Sequence, residues 1–167
     1  MPPFYQSAQS IFIQAPPEKV YAALTDWALR AQWREGIQVQ WEGSPQAFPG
    51  QEVEFGIQGP FWRYRIRFKV TRLEAPARLY LEYVGKPLEG RHAIEVAPEE
   101  DGSKVSFYWM KVRPVGWAAK LYFALGLGMR AHRSRVTETL ELLKRYLEEG
   151  ALPSPSGRRP GYKESVP

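Results

Sequence analysis

Residues 11–33, IFIQAPPEKVYAALTDWALRAQW, pass from extended to helical character at a pair of prolines. Ile11 and Ile13 alternate with polar neighbours, the pattern of a strand with one buried face. Ala15-Pro16-Pro17 cannot extend that strand, because proline lacks the backbone donor and fixes its own φ. Pro17 suits the first turn of a helix, with Glu18 at the positive end of its dipole. Val20, Tyr21 and Leu24 follow at helical spacing, and Thr25 or Asp26 can cap a second short helix that ends at Trp33. The segment is therefore strand, proline corner, helix, helix.

Beyond Trp33 the chain becomes a meander. Gln38–Trp41 and Glu52–Ile57 are short strand candidates separated by turn-rich sequence. Phe61–Val70, FWRYRIRFKV, alternates most cleanly. Trp62, Tyr64, Ile66, Phe68 and Val70 share one face; Arg63, Arg65, Arg67 and Lys69 share the other. Leu79–Val84 follows, then Arg91–Val96 and Lys104–Val112, joined by a hairpin through Glu99-Glu100-Asp101-Gly102. With a loop of either two residues (Asp101-Gly102) or four, even positions before it oppose odd positions after it. If His92, Ile94 and Val96 face inward, so do Phe107 and Trp109. The inner wall would then carry Trp62, Tyr64, Leu81, Tyr83, His92 and Trp109.

The last large element is expected as one long helix from about Trp117 to Glu149. Leu125, Met129, His132, Val136, Leu140, Leu143 and Leu147 form its apolar stripe. Residues 150–167 are rich in proline, serine and charge, and a disordered tail is expected there. The folded domain is thus residues 1–149.

Strand, proline corner, helix with its valine, and the Asp26-Trp27 segment resemble the opening of the START-like superfamily, also called SRPBCC or polyketide cyclase/dehydratase-like. The order of elements over residues 4–149 is similar to that family throughout. The resemblance implies an α+β helix-grip fold: a strongly curved antiparallel sheet wrapped around a long C-terminal helix, with two short helices after the first strand. It also implies a cavity between sheet and helix for a small hydrophobic ligand such as a lipid, isoprenoid or polyketide-like molecule. Fold alone does not assign function, since carriers and cyclases share this layout.

Composition agrees and narrows the choices. At 167 residues, the chain suits one domain with a sizeable core. It is 44% hydrophobic with six Trp, nine Tyr and eight Phe. The absence of cysteine excludes disulfides, thiol catalysis and cysteine-ligated metals. The N-terminus has neither the basic nor the apolar region of a secretory signal, and no apolar run approaches the roughly 18 residues of a membrane span. The expectation is a cytoplasmic protein.

Two histidines are the candidate acid/base groups. His92 on the sheet and His132 on the helix both fall on inward faces, where imidazole can bind a ligand oxygen or move a proton. The plainer alternative is that each pairs with a tyrosine hydroxyl or backbone carbonyl in a mixed core. Two histidines without an inward carboxylate do not make a metal site, so neither metal nor cofactor is expected. The expected ligand wall is Trp62, Tyr64, Leu81, Tyr83, His92 and Trp109 from the sheet, with Leu125, Met129, His132 and Val136 from the helix. A carrier or sensor is the leading function. The alternatives are a polyketide cyclase or dehydratase using His92 or His132, and a peripheral membrane or partner-binding module.

That last alternative rests on charge and on one apolar stretch. Residues 1–59 hold three Lys/Arg against six Asp/Glu, whereas residues 60–145 hold seventeen against nine. Arg63, Arg65, Arg67, Lys69, Arg130 and Arg133 would suit an anionic membrane surface; nucleic acid is not expected as a partner. The plain reading is a solvated cationic face. Residues 115–129, VGWAAKLYFALGLGM, carry one charge and no polar face. They can form a gate over the cavity, a homodimer contact or a membrane contact, or lie buried under loops of their own domain.

Overall fold

Residues 3–58 and 63–150 are described by the computed structural model, and they form one curved sheet gripping a helix. The elements run β1 (Tyr5–Ile13), α1 (Pro17–Thr25), α2 (Trp27–Trp33), β2 (Ile37–Trp41), β3 (Glu52–Gln58), β4 (Arg63–Glu74), β5 (Arg78–Val84), β6 (Leu88–Glu99), β7 (Gly102–Pro114), α3 (Trp117–Ala124) and α4 (Leu127–Glu149). The seven strands lie in the order β1-β7-β6-β5-β4-β3-β2, all neighbours antiparallel. The sheet does not close, because β1 and β2 remain its edges.

The opening stretch folds as its sequence dictates. Pro17 starts α1 after the extended Pro16, and Glu18 occupies the first turn. Asp26 closes α1 and caps α2, its carboxylate accepting from Leu29 N at 3.0 Å. Trp27 and Trp33 are buried, with their indole donors satisfied by Gln51 Oε1 at 2.8 Å and Ala23 O at 2.9 Å.

The β6–β7 hairpin turns on Glu100-Asp101, with Glu99 paired to Gly102 and Asp101 at φ 62°. That turn lies one residue earlier than Asp101-Gly102, yet even still opposes odd. His92 faces Trp109 and Ile94 faces Phe107. Continuing across the sheet, Leu81 pairs His92, Val70 pairs Leu81, Phe68 pairs Tyr83 and Phe55 pairs Ile66. One concave face therefore collects the aromatic and aliphatic side chains.

The C-terminal helix is two helices, which corrects the single helix expected from Trp117. α3 ends at Ala124, and Gly126 takes the left-handed conformation (φ 74°) before α4 begins. The break removes Leu125 from the stripe and leaves it 64% exposed. Gly128 is needed for close approach: a Cβ there would lie 2.5 Å from the Phe123 ring. From α4, Val136, Leu140 and Leu143 are buried in the main core, and Leu147 packs against it.

α4 is tied to β1 by polar contacts as well as packing. Gln9 donates to Thr137 Oγ1 at 2.9 Å, Lys144 donates to Phe12 O at 3.0 Å, and Glu148 accepts from Gln14 N at 2.7 Å. Arg34 pins α2 to α4 through Glu138 at 3.0 Å and Thr139 Oγ1 at 2.9 Å.

Candidate functional site

The concave face and α4 enclose an interior made of two hydrophobic clusters. The larger gathers β1, α1, α2, the sheet centre and Val136, Leu140 and Leu143 of α4. The smaller, beneath α3, contains Leu88, Trp109, Val112 and Phe123, with Tyr5 and Met129 packed on it. Tyr83 contacts both. A cluster of polar and aromatic groups lines the sheet around it.

Trp109, on β7, is central to this region. Its indole nitrogen donates to the Tyr83 hydroxyl, and its ring stacks on His132 of α4 with centroids 3.4 Å apart and planes 8° from parallel. His132 Nε2 shares a hydrogen bond of 3.0 Å with Ser7 Oγ on β1. Burial pushes His132 down to about 4, with the Arg133 charge adding to the effect. Burial likewise raises the Tyr83 phenol above its ordinary range. Tyr64 on β4 is pushed up to about 12 by burial, against the pull of the Arg135 charge.

His92 differs from all of these. It is 8% exposed, packed edge-on to Phe107 with centroids at 5.4 Å and tilted against Phe68 at 6.1 Å. Both ring nitrogens are buried, and neither has a partner among the described residues. Burial drives it down to about 3, with the His132 and Arg30 charges contributing, so the ring is neutral at pH 7.

The structure brings most of the expected wall together. Tyr64, Leu81, Tyr83, His92 and Trp109 occupy inward register positions on adjacent strands, and Met129, His132 and Val136 line α4 opposite β1 and β7. Trp62 lies outside the described residues. Leu125 does not reach the interior, for the reason given above. His132 pairs with a serine hydroxyl, not the tyrosine or carbonyl expected, and His92 pairs with no group among the described residues.

One residue was missed. Arg30 on α2 is 7% exposed, with its guanidinium carbon 5.0 Å from the Phe55 ring centre and 5.9 Å from that of Trp27. The signal was present in WALRAQW, where Trp27, Arg30 and Trp33 recur every three residues and so share one helix face.

The remaining candidates lie outside the interior. Of the outward stripe on β4, Arg65 and Arg67 approach Glu54 at 3.4 Å and Glu52 at 3.9 Å across the β3–β4 ladder, making it a mixed-charge face. Residues 115–129 are not buried beneath loops: Trp117 is 80% exposed, and Leu121, Tyr122 and Leu127 are also exposed, while Phe123 alone is buried from α3. A shallow groove of about 340 Å³ crosses the β1–β7 rungs beside Gln6, Ser7, Ala8, Tyr108, Trp109 and Met110, open to solvent and apart from His92. Among the described residues, no group of three or more His, Cys, Asp or Glu can hold a metal ion, and no helix is long and apolar enough to cross a membrane.

Solved structures share this architecture. An uncharacterised protein from Rhizobium leguminosarum aligns with a TM-score of 0.71 at 15% identity, covering 89% of this chain and 97% of its own. A protein of unknown function from Staphylococcus aureus, SA2116, gives 0.69 at 14%, covering 89% and 96%. The Aha1 dimer from Colwellia psychrerythraea gives 0.61 at 20%, covering 87% and 98%. At these identities the likeness concerns fold. No curated protein matches the chain in sequence. The family model for polyketide cyclase / dehydrase and lipid transport matches residues 6–148, from β1 almost to the end of α4. With the helix-grip sheet, its inward wall and that match in agreement, the chain belongs to the polyketide cyclase / dehydrase and lipid transport family.

Proposed function

We propose that this protein binds a small hydrophobic ligand, of lipid, isoprenoid or polyketide-like character, between the concave sheet and α4, as a carrier or sensor. The observation that carries the reading is the inner wall of Tyr64, Tyr83, His92, Trp109 and His132. These are apolar bodies with few polar handles, the composition of a site that holds an apolar molecule in a fixed orientation. The family description, which includes lipid transport, supports the same ligand class.

The histidines favour a carrier over a catalyst. A general base works best with a pKa near the working pH. His92 at about 3 and His132 at about 4 are unprotonated at neutral pH but too weakly basic to drive proton abstraction. Native mass spectrometry of the purified protein, before and after incubation with a panel of fatty acids, isoprenoids and aromatic polyketide-like compounds, tests the reading. Retention of one ligand per chain is expected; failure of the whole panel to bind would contradict it.

A further inference from the structure

α2 and its C-cap residue bury two arginines, Arg30 and Arg34, that the fold treats differently. Arg34 is fully provided for: Glu138 at 3.0 Å, Thr139 Oγ1 at 2.9 Å and Glu35 O at 2.7 Å. Arg30, one turn earlier, has no carboxylate partner among the described residues. Its Nη1 reaches Leu24 O at a long 3.4 Å, and its Nε is buried without an acceptor. A buried, uncompensated cation is strongly disfavoured, and the faces of Phe55 and Trp27 offset only part of that. The sheet holds a matching deficit in His92, buried with both nitrogens unpartnered. Phe55 and Phe68 link the two: Arg30 lies 5.0 Å from Phe55, Phe55 lies 5.5 Å from Phe68, and Phe68 lies 6.1 Å from His92. Arg30 and His92 thus lie along one row of aromatic rings, each a buried polar group short of hydrogen-bond partners among the described residues.

We infer that the molecule held in this interior is an apolar carboxylic acid, its carboxylate seated on the Nε edge of Arg30 and accepting a hydrogen bond from His92. The inference rests on the interior being the ligand site, as proposed above. The class follows from the donors. One buried cation is balanced by one monoanion, whereas a phosphate dianion would leave excess charge in a low-dielectric site, Arg34 being engaged by Glu138. A guanidinium edge matches the two oxygens of a carboxylate. A neutral imidazole carries one N–H to donate. The proximity of Arg30 is also felt at His92, whose protonation it disfavours. The rest of the ligand would lie along Phe55, Phe68 and the Tyr83–Trp109 wall.

Matched pairs test this: dodecanoic acid against methyl dodecanoate, and 2-naphthoic acid against methyl 2-naphthoate, each titrated by calorimetry into the full chain at pH 7.5. The acids should bind at least about tenfold more tightly than their esters, the margin expected of charge-assisted hydrogen bonds. Arg30→Gln should bring acid affinity down to that of the ester and leave ester affinity within about threefold. His92→Phe should weaken acid binding with less effect on the ester. Equal affinities for acid and ester in the unaltered protein would overturn the inference while leaving the interior as an apolar ligand site. So would a preference that survives in Arg30→Gln or, where that variant does not fold, in Arg30→Met. If neither acids nor esters bind, and the wider panel also fails, the ligand site itself is wrong and the inference falls with it.

Discussion

His92 and His132 are the residues whose burial sets a measurable acid response. Both have folded pKa values below the ordinary 6.5, His92 near 3 and His132 near 4. Below pH 6.5 the unfolded chain takes up protons that the folded protein resists, so stability should fall as pH drops from 6.5 towards 4. Each histidine that stays neutral in the fold contributes on the order of 2 kcal/mol of loss between pH 6.5 and 5, less for the partly exposed His132. Urea unfolding at pH 7 and pH 5 checks this. His92→Phe should shrink the pH dependence and leave stability at pH 7 equal or higher, since it removes a buried group with no partner. An unchanged pH slope in that variant would contradict the account.

At the scale of elements, α3 and α4 differ in how they are held. Leu140 is 3% exposed in the main core, so Leu140→Ala should cost about 2–5 kcal/mol in urea unfolding. α3 is anchored through Phe123 and flanked by Gly116 (φ 89°) and Gly126 (φ 74°). Alanine at either glycine of the break would have been neutral or stabilising had both been helical. Gly126 is left-handed, so Gly126→Ala should cost about 1–2 kcal/mol through the backbone alone. Gly128→Ala should cost about 1–3 kcal/mol by forcing Phe123 off Trp109 and Tyr5. Hydrogen exchange should find residues 117–124 opening more readily than 136–147, as a gate over the smaller cluster requires. Equal protection would remove the gate.

These elements also mark what the sequence made legible. The parity of the β6–β7 hairpin follows from side-chain alternation, and a one-residue change of turn position left it intact, so His92 could be placed opposite Trp109. The cap at Asp26 and the proline corner are local chemistry, readable without the rest of the fold. The helix break was harder to read. The glycines at 126 and 128 were visible, but the apolar stripe runs through them, and only the left-handed turn at Gly126 moves Leu125 out of phase. Arg30 was hidden because an arginine in a short amphipathic helix reads as a solvent residue; its burial depends on how α2 meets β2 and β3.

Across the whole molecule, sheet, α2 and α4 cooperate to surround polar groups that the fold leaves open. The main core is closed by well-packed aliphatic and tryptophan side chains, which fixes the scaffold. The region between it and the smaller cluster is built of rings with hydroxyl, imidazole and indole edges.

An apolar ligand held between the concave sheet and α4, as proposed, would be registered by side-chain NMR of the inner wall. With aromatic ¹³C-labelled protein and a saturating ligand from the bound panel, the resonances of Tyr64, Tyr83, His92, Trp109 and His132 should shift together and show intermolecular nuclear Overhauser contacts. Shifts confined to exposed residues such as Trp117 and Tyr122, with the inner wall unmoved, would contradict it.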